Sequence, residues 1–113
     1  MKRILLSLGI ATFVGILLAS FTTVKAAEYD KGVKLYNDKC RFCHGVKGDG
    51  NGPAADSLST RPTDFTNPKF WNNGVDKTIT DAITKGKDIM PSFDLKPDET
   101  KEIIDYMSHV FKK

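Results

Sequence analysis

Cys40, Arg41, Phe42, Cys43 and His44 form the one place in this 113-residue chain where two thiols and an imidazole stand together. On a single helical turn, positions i, i+3 and i+4 project to one side. Two thiols at that spacing reach the two vinyl groups along one edge of a porphyrin, while the imidazole that follows points at the iron. C-x-x-C-H is accordingly the attachment signature of a c-type haem. Other uses of the same residues fit less well. A redox dithiol needs its C-x-x-C at a helix start within a βαβ pattern, and no such strands are visible. A zinc site needs four ligands, and the other histidine, His109, lies far from His44 rather than at H-x3-5-H spacing. A disulfide between Cys40 and Cys43 closes a loop too short to staple the fold.

The elements that must carry this motif are short and helical. Asp30 to Lys39 reads as a helix running into the cysteines, with Asp30 as its cap and with Gly32, Val33 and Tyr36 on one face. Gly45 to Phe70 holds Gly45, Gly48, Gly50, Gly52, Pro53, Pro62 and Pro68 and keeps neither a helical nor a strand period, which predicts a long loop. So long a loop in so small a domain points to something large and apolar for it to wrap. Lys77 to Lys85 is predicted as a second helix, with Ile79, Ala82 and Ile83 inward, Asp76 as cap and Gly86 as stop. Pro97 to Phe111 is predicted as the last helix: Pro97 takes the first position, Asp98 and Glu99 face the positive end, and Ile103, Tyr106, Met107 and Val110 form the buried stripe.

Composition agrees with one small globular domain: 40% hydrophobic and 27% charged residues, with a mean hydropathy of −0.31. Residues 1–26 read as a secretory signal peptide. Lys2 and Arg3 precede an apolar stretch from Ile4 to Leu18, and Val24-Lys25-Ala26 is a small-x-small cleavage pattern. An uncleaved anchor is the alternative, but the stretch is near the lower limit of a spanning helix and contains Ser7, Gly9 and Gly15. Cleavage removes Lys2, Arg3 and Lys25 and no acid, which leaves 14 bases against 14 acids in the domain 27–113. A balanced domain of this kind gives no support for nucleic-acid binding.

Taken together, Cys40 to His44, Gly45, the glycine loop Gly48-Asp49-Gly50-Asn51-Gly52-Pro53, the run Ile83-Thr84-Lys85-Gly86 leading to Met90-Pro91, and a terminal helix ending near Tyr106 resemble a class I c-type cytochrome. The resemblance implies an all-α fold of three to four short helices around one covalently bound haem c, with long Gly/Pro-rich loops. It implies thioethers at Cys40 and Cys43, axial ligation of the iron by His44 and Met90, and a carbonyl of Pro53 accepting the His44 Nδ1 proton. Gly32, Tyr36 and Tyr106 match the family's helix-crossing residues. Met90 follows a glycine-ended helix and precedes a proline, whereas Met107 lies on the core stripe. His109 falls off that stripe and reads as solvated. Phe65, Phe70, Trp71 and Phe93 are expected to line the haem pocket. Lys47, Lys69, Lys85 and Lys87 fall in segments expected near the haem rim, but Asp49, Asp81 and Asp88 are interleaved with them, and the set reads as a solvated face.

The function this implies is that of a periplasmic, monomeric electron carrier with no catalysis of its own, exchanging electrons with redox partner proteins and not inserted in the membrane once the leader is removed. Two alternatives stand beside it. One is a haem enzyme or gas-binding sensor with an open sixth position; the other is an electron-relay subunit of a larger oxidoreductase.

Overall fold

The structure, a computed structural model, describes residues 29–113. The leader expected at 1–26 lies outside the described residues. In chain order there are four helices, α1 (Asp30–Lys39), α2 (Arg41–His44), α3 (Val75–Lys85) and α4 (Pro97–Phe111), with single 3-10 turns at Ala55–Ser57 and Pro68–Phe70. Among the described residues there is no strand. The all-α expectation is met.

Local chemistry explains the boundaries. At the start of α4 the Glu99 carboxylate accepts the Lys96 N–H at 3.0 Å, and Pro97 at the first turn has no N–H to leave unsatisfied. Helix α3 ends where the N–H of Gly86 bonds the Ala82 carbonyl at 3.0 Å, as the glycine suggested. Its beginning differs from expectation: α3 opens at Val75 behind Gly74, so Asp76 sits inside the first turn, where its charge meets the positive end of the helix, and not at the cap. Asp30 likewise is the first residue of α1 and not its cap.

Helices α1 and α4 approach closely at Gly32. A Cβ at that position would overlap the Glu102 carbonyl oxygen and lie 2.8 Å from the Tyr106 Cβ. The buried cluster consists of Tyr36, Phe65, Ile79, Ile83, Ile103, Ile104, Met107 and Phe111. Each such side chain removed from water contributes about 2 kcal/mol. The inward stripe of α4 is therefore Thr100, Ile103, Ile104, Met107 and Phe111. Val110 is exposed and Tyr106 only half-buried, which corrects the predicted stripe. The reason is Phe111, whose ring lies against the backbone of Gly48 and turns the end of α4 toward the loop.

Candidate haem-attachment site

Helix α2 is one turn long, so nearly all its carbonyls must find partners outside it. Cys40 O accepts the His44 N–H at 2.9 Å and Arg41 O accepts the Gly45 N–H at 2.9 Å. The remaining three face the glycine loop. The N–H groups of Ala54, Gly52 and Gly50 bond Phe42 O, Cys43 O and His44 O at 3.0, 3.0 and 2.9 Å, so alternate residues of the loop satisfy successive residues of the turn. This is why small residues are needed: a Cβ on Gly52 would collide with the Phe42 and Cys43 backbones. The loop that looked unstructured in sequence is the cap of the motif.

His44 is held on two more sides. Its ring stacks on Phe65, centroids 4.5 Å apart and planes 20° from parallel. Its Nδ1 lies 3.1 Å from the carbonyl oxygen of Thr63. A carbonyl only accepts, so Nδ1 carries the proton and Nε2 is the nitrogen with a lone pair to give. The expected acceptor was Pro53, and the structure corrects this. Gly52 N is committed to Cys43 O, so Gly52-Pro53 runs along the backbone of α2. The chain passes the ring only later, where Phe65 N–H bonds Gly48 O at 2.7 Å. Pro53 itself is exposed.

Met90 closes a tight turn with Lys87, their backbones exchanging bonds of 3.0 and 2.8 Å, and the Phe93 N–H anchors the following segment to Ile83 O at 2.7 Å. Met90 is half-buried and packs, together with Cys40, Phe70, Trp71, Phe93 and Leu95, against the buried cluster that contains Phe65. Cys40 and Met90 thus both pack against the buried cluster to which Phe65, the ring stacked on His44, belongs. No disulfide joins Cys40 and Cys43, and both are partly buried. Before haem attachment, burial, with a smaller effect of Cys43, pushes the Cys40 thiol up to about 12. His109 is exposed on α4. Of the lysines expected near the rim, Lys85 pairs with Asp81 at 3.0 Å.

Burial lowers the pKa of His44, and the Thr63 hydrogen bond only partly opposes it. A group that binds its proton less readily when folded makes the fold more stable at higher pH.

These residues fit a haem c: two thiols and an imidazole on one turn, the imidazole tautomer fixed with Nε2 available, and a half-buried apolar surface beside them for a flat ring to cover. An all-helical chain that presents C-x-x-C-H in this way is a class I-like c-type cytochrome domain. The chain belongs to the family described as cytochrome c oxidase, cbb3-type, subunit III, which matches residues 27–107. Among curated proteins and among solved structures no match to the chain is found. The family binds covalently attached haem c, and its chemistry is electron transfer. No helix among the described residues is long and apolar enough to cross a membrane.

Sequence reasoning passed over three parts of the site: the Thr63 carbonyl, the N–H groups at 50, 52 and 54, and the Tyr36 hydroxyl, which reaches Gly45 O at 2.8 Å. Backbone groups carry no residue-type signal. The tyrosine did, since a phenylalanine would fill a core position without a hydroxyl to satisfy.

Proposed function

We propose that this chain is an exported electron carrier: residues 1–26 direct it to the periplasm and are cleaved, and residues 27–113 hold one haem c through Cys40 and Cys43 with His44 and Met90 as axial ligands. The haem supplies a one-electron couple. The protein's part is to hold both axial donors in place in either oxidation state, to keep water from the ring with Phe65, Phe70, Trp71 and Phe93, and to tune the potential. A thioether paired with an imidazole raises that potential, and so does an apolar surround. With both axial positions filled, substrate has no access, and the domain carries out no catalysis of its own.

The observation that carries the reading is the immobilised His44, gripped at its backbone, at Nδ1 and on its ring face. Such rigidity suits a centre that must change charge with little rearrangement. Phe42, Val46 and Ile89 are 66%, 64% and 46% exposed, each within two residues of a proposed haem-holding residue. Exposed Arg41 stands beside Phe42, exposed Lys47 beside Val46 and exposed Asp88 beside Ile89 in sequence. Exposed apolar side chains rimmed by charge suit brief contact with a redox protein. A second reading, a relay subunit within a larger oxidoreductase, is favoured by the family's description as an oxidase subunit.

Visible spectra of the mature protein, produced with a haem-attachment system, test the proposal. Expected are low-spin spectra in both oxidation states, a weak long-wavelength methionine-to-ferric band, and no change under carbon monoxide. A high-spin or carbon monoxide-responsive haem would move the reading to an open-site enzyme or sensor.

A further inference from the structure

We infer that Tyr36 is a positioning residue for the axial ligand His44, fixing its backbone from both ends of the C-x-x-C-H turn and thereby raising the reduction potential. The inference rests on the proposal that His44 ligates the haem iron.

Tyr36 is fully buried, with 0% of its surface exposed. Its ring packs on Tyr106 and Phe111, with centroids 5.5 and 5.3 Å away. Phenylalanine would serve that packing equally well and would bury no hydroxyl. The hydroxyl therefore calls for an explanation, and its partner supplies one. It donates to Gly45 O at 2.8 Å, the carbonyl that directly follows His44. At the other end of the motif, the carbonyl of the same Tyr36 accepts the Cys40 N–H at 2.8 Å. One residue of α1 thus holds the first residue of the segment 40–45 through its backbone and the last through its side chain.

Gly45 is constrained on each side. Its N–H donates to Arg41 O at 2.9 Å, and its carbonyl accepts both the Tyr36 hydroxyl and the Gly48 N–H, the latter at 3.1 Å. A carbonyl with two lone pairs is then fully used. Loss of the hydroxyl leaves one donor in place, so the fold survives while the peptide after His44 gains freedom. There is an electrostatic consequence as well. The O–H dipole offsets the negative end of the Gly45 carbonyl next to the ligand. Without it, that oxygen favours the more positive ferric state, and the potential falls. Burial holds the phenol well above its ordinary pKa, so the bond persists across the working pH range.

The test compares the haem-loaded wild type with Tyr36→Phe and with Tyr106→Phe, which alters the ring packed on Tyr36 but leaves the Gly45 bond in place. Three quantities are read: the reduction potential, the hyperfine-shifted proton resonances of the His44 ring, and amide exchange at Gly48. Tyr36→Phe should lower the potential, move the His44 resonances and speed Gly48 exchange at least about tenfold, while Tyr106→Phe should do none of these. Tyr36→Phe that loses stability yet keeps the wild-type potential and resonances would overturn the inference and leave Tyr36 as packing. If that variant does not fold, 3-fluorotyrosine at position 36 keeps the ring and donates a stronger bond. The potential should then rise, and no change overturns the inference. A wild type lacking the low-spin histidine/methionine signature overturns the ligand assignment and this inference with it. A wild type with the signature and an unmoved variant overturns the inference alone.

Discussion

Replacing Met90 by alanine is expected to change the haem more than any other single substitution outside Cys40, Cys43 and His44. The backbone of the turn is held independently of the side chain, by the paired bonds between Lys87 and Met90 and by the Phe93 anchor on Ile83. Alanine should therefore remove the thioether without moving the chain. Loss of a half-buried side chain costs about 2 kcal/mol, which the covalently loaded domain should tolerate. The ferric long-wavelength band should vanish, the ferrous protein should bind carbon monoxide, and the potential should fall by more than about 0.1 V, a modest part of the range that axial ligands command. Spectroscopy and redox titration of the variant check this. A wild type that already binds carbon monoxide, with Met90→Ala nearly identical to it, would sink the assignment of Met90.

The largest expected effect on stability is at Gly32. Gly32→Ala should gain about 1 kcal/mol in helix propensity. It should lose more, because the new Cβ meets the backbone oxygen of Glu102, and the two main helices must separate. Backbone cannot rotate away as a side chain tip can, and separation also loosens Tyr36 against Tyr106. A net loss of about 2–4 kcal/mol is expected, which for a domain of this size lowers Tm by roughly 10–20 °C. Calorimetry of the loaded protein measures it. An unchanged Tm would show that α1 and α4 do not cross at Gly32 as closely as described.

Much of this architecture was legible in sequence, and the misses have physical causes. Helix α1, helix α3 and helix α4 each lie within two residues of where apolar spacing, Pro97 and Gly86 put them. The motif on α2 was readable because covalent attachment fixes both residue type and spacing. The inward face of α4 was only partly readable, because Ile103, Ile104, Tyr106, Met107, Val110 and Phe111 spread over about 160° of its circumference, a wider arc than the one that is buried. Which of them turns inward depends on Gly32 and Gly48, residues far away in sequence that let the helix come close. Phe111, the last residue of the predicted helix and absent from the predicted stripe, is 2% exposed. The acceptor for His44 was assigned to Pro53 on resemblance, whereas the structure uses the Thr63 carbonyl. Any residue type supplies a carbonyl, so position 63 bore no mark of its role.

The alternating bonds from Ala54, Gly52 and Gly50 to three successive residues of α2 make the stretch from Cys40 to Ala54 act like a zipper with fixed pitch. Adding or deleting one residue between Gly50 and Ala54 would shift which N–H groups face α2, unfastening the zipper beyond that point. Beyond the 3-10 turn at Ala55–Ser57 the backbone makes no further bond to α2 before Thr63 returns to the His44 ring. Within the segment 40–63 a change of length is therefore least costly around the exposed residues 59–60, and the haem-attachment turn travels with its own clasp as one inseparable cassette.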